Sequence, residues 1–152
     1  MDQTASTIVD LFLKVHAQLR EIVRDMDADQ LNWAPVPDTN SPAVLVTHTL
    51  ASEYHTLLFV RDLVEDRDRD AEFRATATSA DELLAQIDRA DELLREHGGA
   101  ITAEDLAATR TRPDRDPQTG LHWLVNNYGH AREHVGHLEL TAQLYQKRSI
   151  SS

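Results

Sequence analysis

Residues 129–137 read GHAREHVGH, with histidines four and then three positions apart. These spacings place side chains on one face of an α-helix. At about 100° per residue, the rings of His130, His134 and His137 fall within about 60° of one another. Trp123 falls on the same stripe. The pattern therefore predicts a helix whose inward face carries three imidazoles.

A second histidine-bearing face is predicted near the middle of the chain. His48 and His55 share a helical stripe with Val44 and Phe59. Burying an imidazole without a partner costs on the order of a few kcal/mol. A shared metal ion removes this cost, because neutral imidazole nitrogen binds Zn, Ni, Fe or Cu. Two such faces in one small protein indicate a metal site between helices.

The spacing alone leaves the ligand set open. Histidines four apart on a helix can hold one ion from the same side, but the residues between His130 and His134 are ARE, so the HExxH hydrolase motif is absent. The pairs His130/His134 and His134/His137 remain alternatives, whereas His130 and His137 lie about 10 Å apart. A third nitrogen must come from another helix, and His48 is the best-placed donor. His55 and His137 are predicted pocket groups.

Helical periodicity runs through most of the sequence. Apolar residues recur every three or four positions in four segments, which predict helices from Thr4 to about Met26, from Ser41 to about Glu65, from Ser79 to about Leu94, and from Pro117 past Tyr145. Four long helices with moderate connections predict an all-α fold, a four-helix bundle, in one domain of residues 1–152.

Local signals predict the ends of these helices and their connections. Ser79 and Glu82 have the spacing of a capping box, and the HGG sequence at 97–99 predicts a left-handed glycine turn. The charge run EDRDRD at 65–70 predicts a solvated connection. A short helical turn is expected after Thr102, followed by a loop through Pro113.

Composition narrows the functional classes. The 152 residues carry a net charge of −11 and no cysteine. The acidic charge argues against nucleic acid as a partner, and a metal must be held by nitrogen and oxygen ligands. No apolar run approaches the roughly 20 residues that span a bilayer. The N-terminal MDQTASTIVDLF lacks the positive start of a signal peptide, so a cytoplasmic location is expected.

Two stretches resemble a known family. SPAVLVTHTLASEYH at 41–55 is followed about eighty residues later by HAREHVGHLEL at 130–140. Together with the Leu-Trp-Pro connection in MDADQLNWAPVPDTN, they resemble the DinB-like superfamily of four-helix metal-binding bundles. That superfamily includes the N-terminal domains of mycothiol-dependent maleylpyruvate isomerases and the bacillithiol-type thiol transferases. The resemblance implies His48, His130 and His134 as metal ligands.

The sequence also departs from the family pattern after the histidine pair. Many members read His-Arg-Gly-Gln, whereas this chain has Val135, Gly136 and His137 after His134. Gly136 matches the family glycine, but the arginine and glutamine are missing. The ligand set is intact, and the neighbouring thiol-binding contacts must differ.

Three functions are compatible with this reading. The resemblance implies one divalent ion, Zn or Ni, that activates a low-molecular-weight thiol for transfer to a small-molecule substrate, with His137 or His55 as a general base. The same ligands suit a metal-dependent hydrolase that uses water, where Glu133 is able to approach. The third function is a non-enzymatic metal-binding or small-molecule-binding protein of the stress response. The family also implies a homodimer, and no membrane partner is expected.

Overall fold

Four long helices form most of the structure, a computed structural model that describes residues 1–148. Its elements are α1 (Gln3–Val23), α2 (Ala28–Leu31), α3 (Pro42–Val60), α4 (Arg69–Glu72), α5 (Ala80–Leu93), α6 (Ala103–Ala107), β1 (Thr109–Arg110), β2 (Gln118–Thr119) and α7 (Gly120–Arg148). A π-helical turn, Leu94–Gly98, continues α5. The two short strands pair antiparallel.

The long helices pack as the predicted bundle. Helix α3 lies along α7, and α1 packs against both α7 and α5. Their facing sides supply the largest fully buried side chains, among them Phe12, Leu19, Leu57, Leu83, Ile87, Leu94, Leu124 and Leu138. The all-α bundle predicted from periodicity is confirmed. In the part of the chain that the structure describes, no helix is both long and apolar enough to cross a membrane.

Some predicted helix ends are confirmed by their caps. The Ser41 hydroxyl accepts a hydrogen bond from the Val44 amide at 3.2 Å, and Pro42 follows it in the first helical position. Thr102 and Asp105 form a reciprocal capping box at the start of α6. These caps satisfy amide groups that the first helical turn leaves without partners.

The capping box predicted for α5 is wrong. The Ser79 side chain makes no capping hydrogen bond. The Glu82 carboxylate instead accepts from the Thr78 amide at 3.1 Å and from the Thr78 hydroxyl. Thr78, one residue before Ser79, donates to Glu82 from both its amide and its hydroxyl. Thr78 is therefore the partner of Glu82 that the sequence predicted Ser79 to be.

The glycine turn predicted after α5 is also wrong. No glycine within residues 1–148 has a positive φ, and Gly99 has a φ of −64°. Gly98 is required for a different reason. A Cβ built there would lie 2.6 Å from Val9 Cγ2. Glycine at this position therefore permits the close approach of α1.

Three helix boundaries differ from the prediction, and the first is that α1 ends at Val23 rather than about Met26. Helix α3 ends at Val60 rather than Glu65, because Asp62 has a left-handed φ of 59° and the Leu63 amide donates to the Leu58 carbonyl at 2.9 Å. This is the Schellman arrangement, with aspartate in the place usually taken by glycine. Helix α7 begins at Gly120 rather than Pro117, because β2 pairs with β1 just before it.

An ionisable cluster joins three helices inside the bundle. His16 on α1 is fully buried, and its Nε2 lies 2.9 Å from Glu53 Oε2 on α3. Its Nδ1 lies 2.6 Å from Asp91 Oδ1 on α5. Arg20 donates to the other Asp91 oxygen at 2.6 Å. The His16 ring is therefore fully buried and hydrogen-bonded at both nitrogens.

Candidate metal centre

Three histidines meet between α3 and α7. One ligand atom of each of His48, His130 and His134 lies within 4.8 Å of the other two. The His48 ring centroid is 5.2 Å from each of the other two centroids, and those two are 4.3 Å apart. The structure thus brings together the three residues that the resemblance implied. Their role as ligands stays a prediction.

The packing of α7 explains why two of the rings sit at the edge of the core. The core-facing residues of α7 include Ala131, Val135 and Leu138. The centre of that face lies about 80° around the helix from His130. His130 and His134 are therefore half-buried beside α3, where His48 is only 4% exposed.

The His48 ring is oriented by an acidic partner. His48 Nδ1 lies 2.9 Å from Glu72 Oε1, and Arg67 donates two hydrogen bonds of 2.7 Å to the same carboxylate. Burial opposes ionisation of Glu72, but the hydrogen bonds from Arg67 and His48 lower its pKa below the usual value. The ionised carboxylate only accepts, so His48 Nδ1 donates and the Nε2 lone pair is available to a metal.

The two histidines of α7 are held in the form that binds metal. His134 Nε2 lies 3.0 Å from His130 Nε2. Burial, and next the charges of His130 and His48, lower the pKa of His134 to about 4. Burial and the charge of His48 also lower the pKa of His130. Both rings are neutral near pH 7, and three convergent imidazoles suit a divalent ion such as Zn or Ni.

An open cavity gives small molecules access to this centre. Its volume is about 650 Å³, within the range typical of ligand pockets. His48 and His130 lie in its wall together with polar residues of α3 and α7, namely Ser52, Thr56, Asn126, Asn127 and Glu133. The cavity thus adjoins the histidine cluster through two of its three rings, His48 and His130.

The two predicted pocket histidines lie outside this cavity. His137 is exposed, and it borders a separate groove with Leu140 and Thr141. The expectation that it points inward is wrong, because the core face of α7 is rotated away from it. His55 is half-buried in a small cavity of about 220 Å³ behind Glu72. Burial, then the nearby arginine charges, lower the pKa of His55.

Sequence reasoning missed several groups around the centre. Arg67 and Arg69 belong to the charge run predicted to be a solvated connection, yet both line the cavity or its edge. Glu72 ends the four-residue helix α4, and Arg112 lies in an irregular segment. Neither segment is long enough for a periodicity that marks an inward side chain. Asn127 was detectable, because it stands three positions before His130 on α7.

Comparisons with known proteins agree with the fold. The profile of the DinB superfamily matches residues 11–138, and the chain belongs to this superfamily. The structure is similar to that of a conserved protein from Enterococcus faecalis, with a TM-score of 0.78 and 17% identity, over 95% of this chain and 97% of that one. A DinB-like protein from Bacillus subtilis gives a TM-score of 0.72 and 21% identity over 90% of each chain.

The family resemblance predicted from sequence is thereby confirmed. At these identities the two solved structures support the fold alone. No match was found among curated proteins. Evidence for a function must therefore come from the site itself.

Proposed function

We propose that the chain is a metal-dependent enzyme of the thiol-transferase kind. His48, His130 and His134 would hold one divalent ion, Zn or Ni. One observation carries the proposal: three imidazole nitrogens lie within 4.8 Å of one another, beside a cavity of about 650 Å³. A closed structural site would not need such access, whereas a reactive centre does.

The proposed chemistry divides between the ion and the chain. A bound ion would supply positive charge that lowers the pKa of a small-molecule thiol. The chain has no cysteine, so the thiol nucleophile must come from a cofactor. Glu72 fixes the His48 ring through a 2.9 Å contact. His55 and His137, the proposed general bases, lie outside the cavity wall, whereas Glu133 lies in it.

Glu133 also favours a second candidate function, metal-dependent hydrolysis with water as the nucleophile. A carboxylate in the cavity wall next to His130 is placed to accept a proton from water. The same carboxylate has a lesser part in thiol transfer, because a thiol of lowered pKa is already ionised near neutral pH. Glu133 is therefore the residue that separates the two candidates.

Thiol transfer and metal-dependent hydrolysis both need a bound divalent ion, so the metal content of the protein is measured first. Elemental mass spectrometry of tag-free protein should find near one equivalent of Zn or Ni in the wild type. The variants His48→Ala, His130→Ala and His134→Ala should each lose it while circular dichroism shows intact helicity. The exposed His122 gives a matched control, and His122→Ala should keep the metal. A wild type that takes up neither Zn nor Ni on incubation would overturn both enzymatic functions and leave the non-enzymatic binding protein.

The reaction is tested on metal-loaded protein. Conjugation of N-acetylcysteine to 1-chloro-2,4-dinitrobenzene reports thiol transfer, and p-nitrophenyl acetate reports hydrolysis. We expect conjugation to be accelerated and to persist in Glu133→Gln. Ester hydrolysis without conjugation, lost in Glu133→Gln, would replace thiol transfer by the second candidate.

A further inference from the structure

The cavity beside the histidines has a charge opposite to that of the chain. The chain has 26 acidic and 15 basic residues. Among the described residues that line the cavity, the one carboxylate is Glu133, and the basic side chains are Arg67, Arg69, Arg112 and Arg115. They come from two segments, 65–70 and 109–117, whose sequences mix both signs of charge. The fold brings their arginines to one place.

Most of this positive charge has no compensating partner. Arg67 is paired with Glu72 at 2.7 Å. Arg110, in the same loop as Arg112 but outside the cavity, lies 3.9 Å from Asp105. By contrast, no carboxylate among residues 1–148 lies within ion-pair distance of the other three cavity arginines, Arg69, Arg112 and Arg115.

Arg112 is held in place as well as uncompensated. Its guanidinium carbon lies 4.4 Å from the Phe59 ring centroid and 5.0 Å from that of Trp123. One terminal nitrogen donates to Thr56 Oγ1 at 3.2 Å. Its Nε is buried and has no hydrogen-bond partner among the described residues. Burial, and next the charges of Arg67 and Arg115, lower the pKa of Arg112.

A second buried polar atom lies in the same wall. Asn127 donates from its amide nitrogen to Ser52 Oγ at 3.0 Å. Its Oδ1 is buried, again with no partner in the part of the chain that the structure describes. Buried polar groups without partners are costly, so both atoms indicate places where a ligand forms hydrogen bonds.

We propose that the cavity binds the carboxylate or phosphate group of a small anionic substrate, with Arg112 as its main partner and Arg69 and Arg115 at the rim. A planar guanidinium matches these oxyanions with two parallel hydrogen bonds. Asn127 Oδ1 accepts a hydrogen bond from a hydroxyl or amine of the same molecule. The inference rests on the proposed function, since it names the substrate class of that centre.

Trp123 provides a direct measurement, because its ring stacks on Arg112. The chain has two tryptophans, and Trp33 packs on Tyr145, outside the cavity wall. In a Trp33→Phe background, Trp123 fluorescence is followed while inorganic phosphate or succinate is added. Potassium chloride at equal ionic strength is the control. The titration is run on protein as purified and again after chelator treatment, with metal content measured on the same samples.

We expect a saturable change with phosphate, succinate or both, and the better ligand identifies the preferred group. Arg112→Met keeps an apolar side chain against Phe59 and Trp123, and it should weaken binding roughly 10- to 100-fold. Arg24→Gln removes an exposed charge at the residue after α1, outside the cavity, and it should leave the affinity unchanged. If Arg112→Met fails to fold, the exposed pair Arg69→Gln and Arg115→Gln replaces it and should weaken binding several-fold.

Two results would overturn the inference. One is a titration that does not exceed the potassium chloride control. The other is an Arg112→Met protein, or its replacement, with wild-type affinity. Anion binding without any metal uptake would overturn the proposed function and leave the anion site standing. Metal uptake without anion binding would overturn the anion site alone.

Discussion

The Glu72 carboxylate positions the His48 ring of the candidate metal centre. It accepts from His48 Nδ1 at 2.9 Å and is itself held by Arg67. Partners of this kind fix the ring and the tautomer of a ligating histidine. Glu72→Gln should therefore weaken Zn affinity roughly 10- to 100-fold, because the neutral amide orients the ring less strongly.

Competition with a chromophoric chelator measures this affinity. Asp70→Asn provides the control, because Asp70 lies on the same short helix and is exposed. Its affinity should equal that of the wild type. Equal affinities in Glu72→Gln and the wild type would show that the His48 ring needs no partner.

His16 is the residue whose loss should cost most stability. It separates two carboxylates inside the bundle, and its replacement leaves Glu53 buried without its partner. Burial already raises the pKa of Glu53. Breaking a buried ion pair from one side costs about 3–5 kcal/mol, so His16→Ala should lose this much free energy of unfolding in urea. The exposed His122→Ala should change it by less than about 0.5 kcal/mol.

At the scale of the helix, alanine substitutions at the two glycines after α5 should change the stability in opposite directions. A Cβ at Gly98 would lie 2.6 Å from Val9 Cγ2, whereas at Gly99 the nearest atom is Met1 Cε at 3.5 Å. Overpacking costs about 1–3 kcal/mol, so Gly98→Ala should destabilise the fold. Gly99→Ala should stabilise it by about 0.4–1 kcal/mol through the unfolded chain.

Thermal unfolding of the two variants tests this pair. A lower Tm for Gly98→Ala and an equal or higher Tm for Gly99→Ala is expected. The reverse order would mean that α1 and the π-helical turn do not approach as closely as described.

Helix faces were predictable from sequence to within less than a quarter turn. Periodicity located four helices and placed histidines on two of them, but it left the pairs His130/His134 and His134/His137 open. The family resemblance implied the set His48, His130 and His134, which the structure brings together. Periodicity misplaced His137. The core face of α7 is set by the small residues Ala131 and Val135, and the sequence pattern gives these small residues no more weight than the larger residues beside them. The groups that surround the histidines were beyond prediction for a different reason. Glu72, on the four-residue helix α4, and Arg112, in an irregular segment, act through contacts with residues far away in the sequence.

At the scale of the whole molecule, the buried cluster makes stability depend on pH. Burial opposes protonation of His16, but hydrogen bonds and charge from Glu53 and Asp91 raise its pKa above the usual value. The resulting stabilisation is complete below about pH 6.5, where the unfolded ring is also protonated, and is lost as pH rises through the folded pKa. Burial opposes ionisation of Asp91, but hydrogen bonds from His16 and Arg20 lower its pKa below the usual value. The stability that Asp91 contributes is therefore lost only as the pH falls into the acid range.

Urea unfolding between pH 7 and pH 9 isolates this effect. His130 and His134 have lowered pKa values, so they titrate below this range. With a chelator present, wild-type stability should fall as pH rises, and His16→Gln should show a flatter profile. A flat wild-type profile would show that the ring is neutral in the folded protein.

The position of the three histidines along the chain has a further consequence. His48 and His130 are separated by 82 positions (130 − 48), so the proposed ion would be a removable cross-link that closes a long loop. Bound only by the folded chain, it adds about 2.7 kcal/mol of stability at a free concentration one hundred times its Kd. The melting temperature should then rise with each increment of free metal, and His130→Ala should not respond. The stability of the folded chain would then depend on the free concentration of metal.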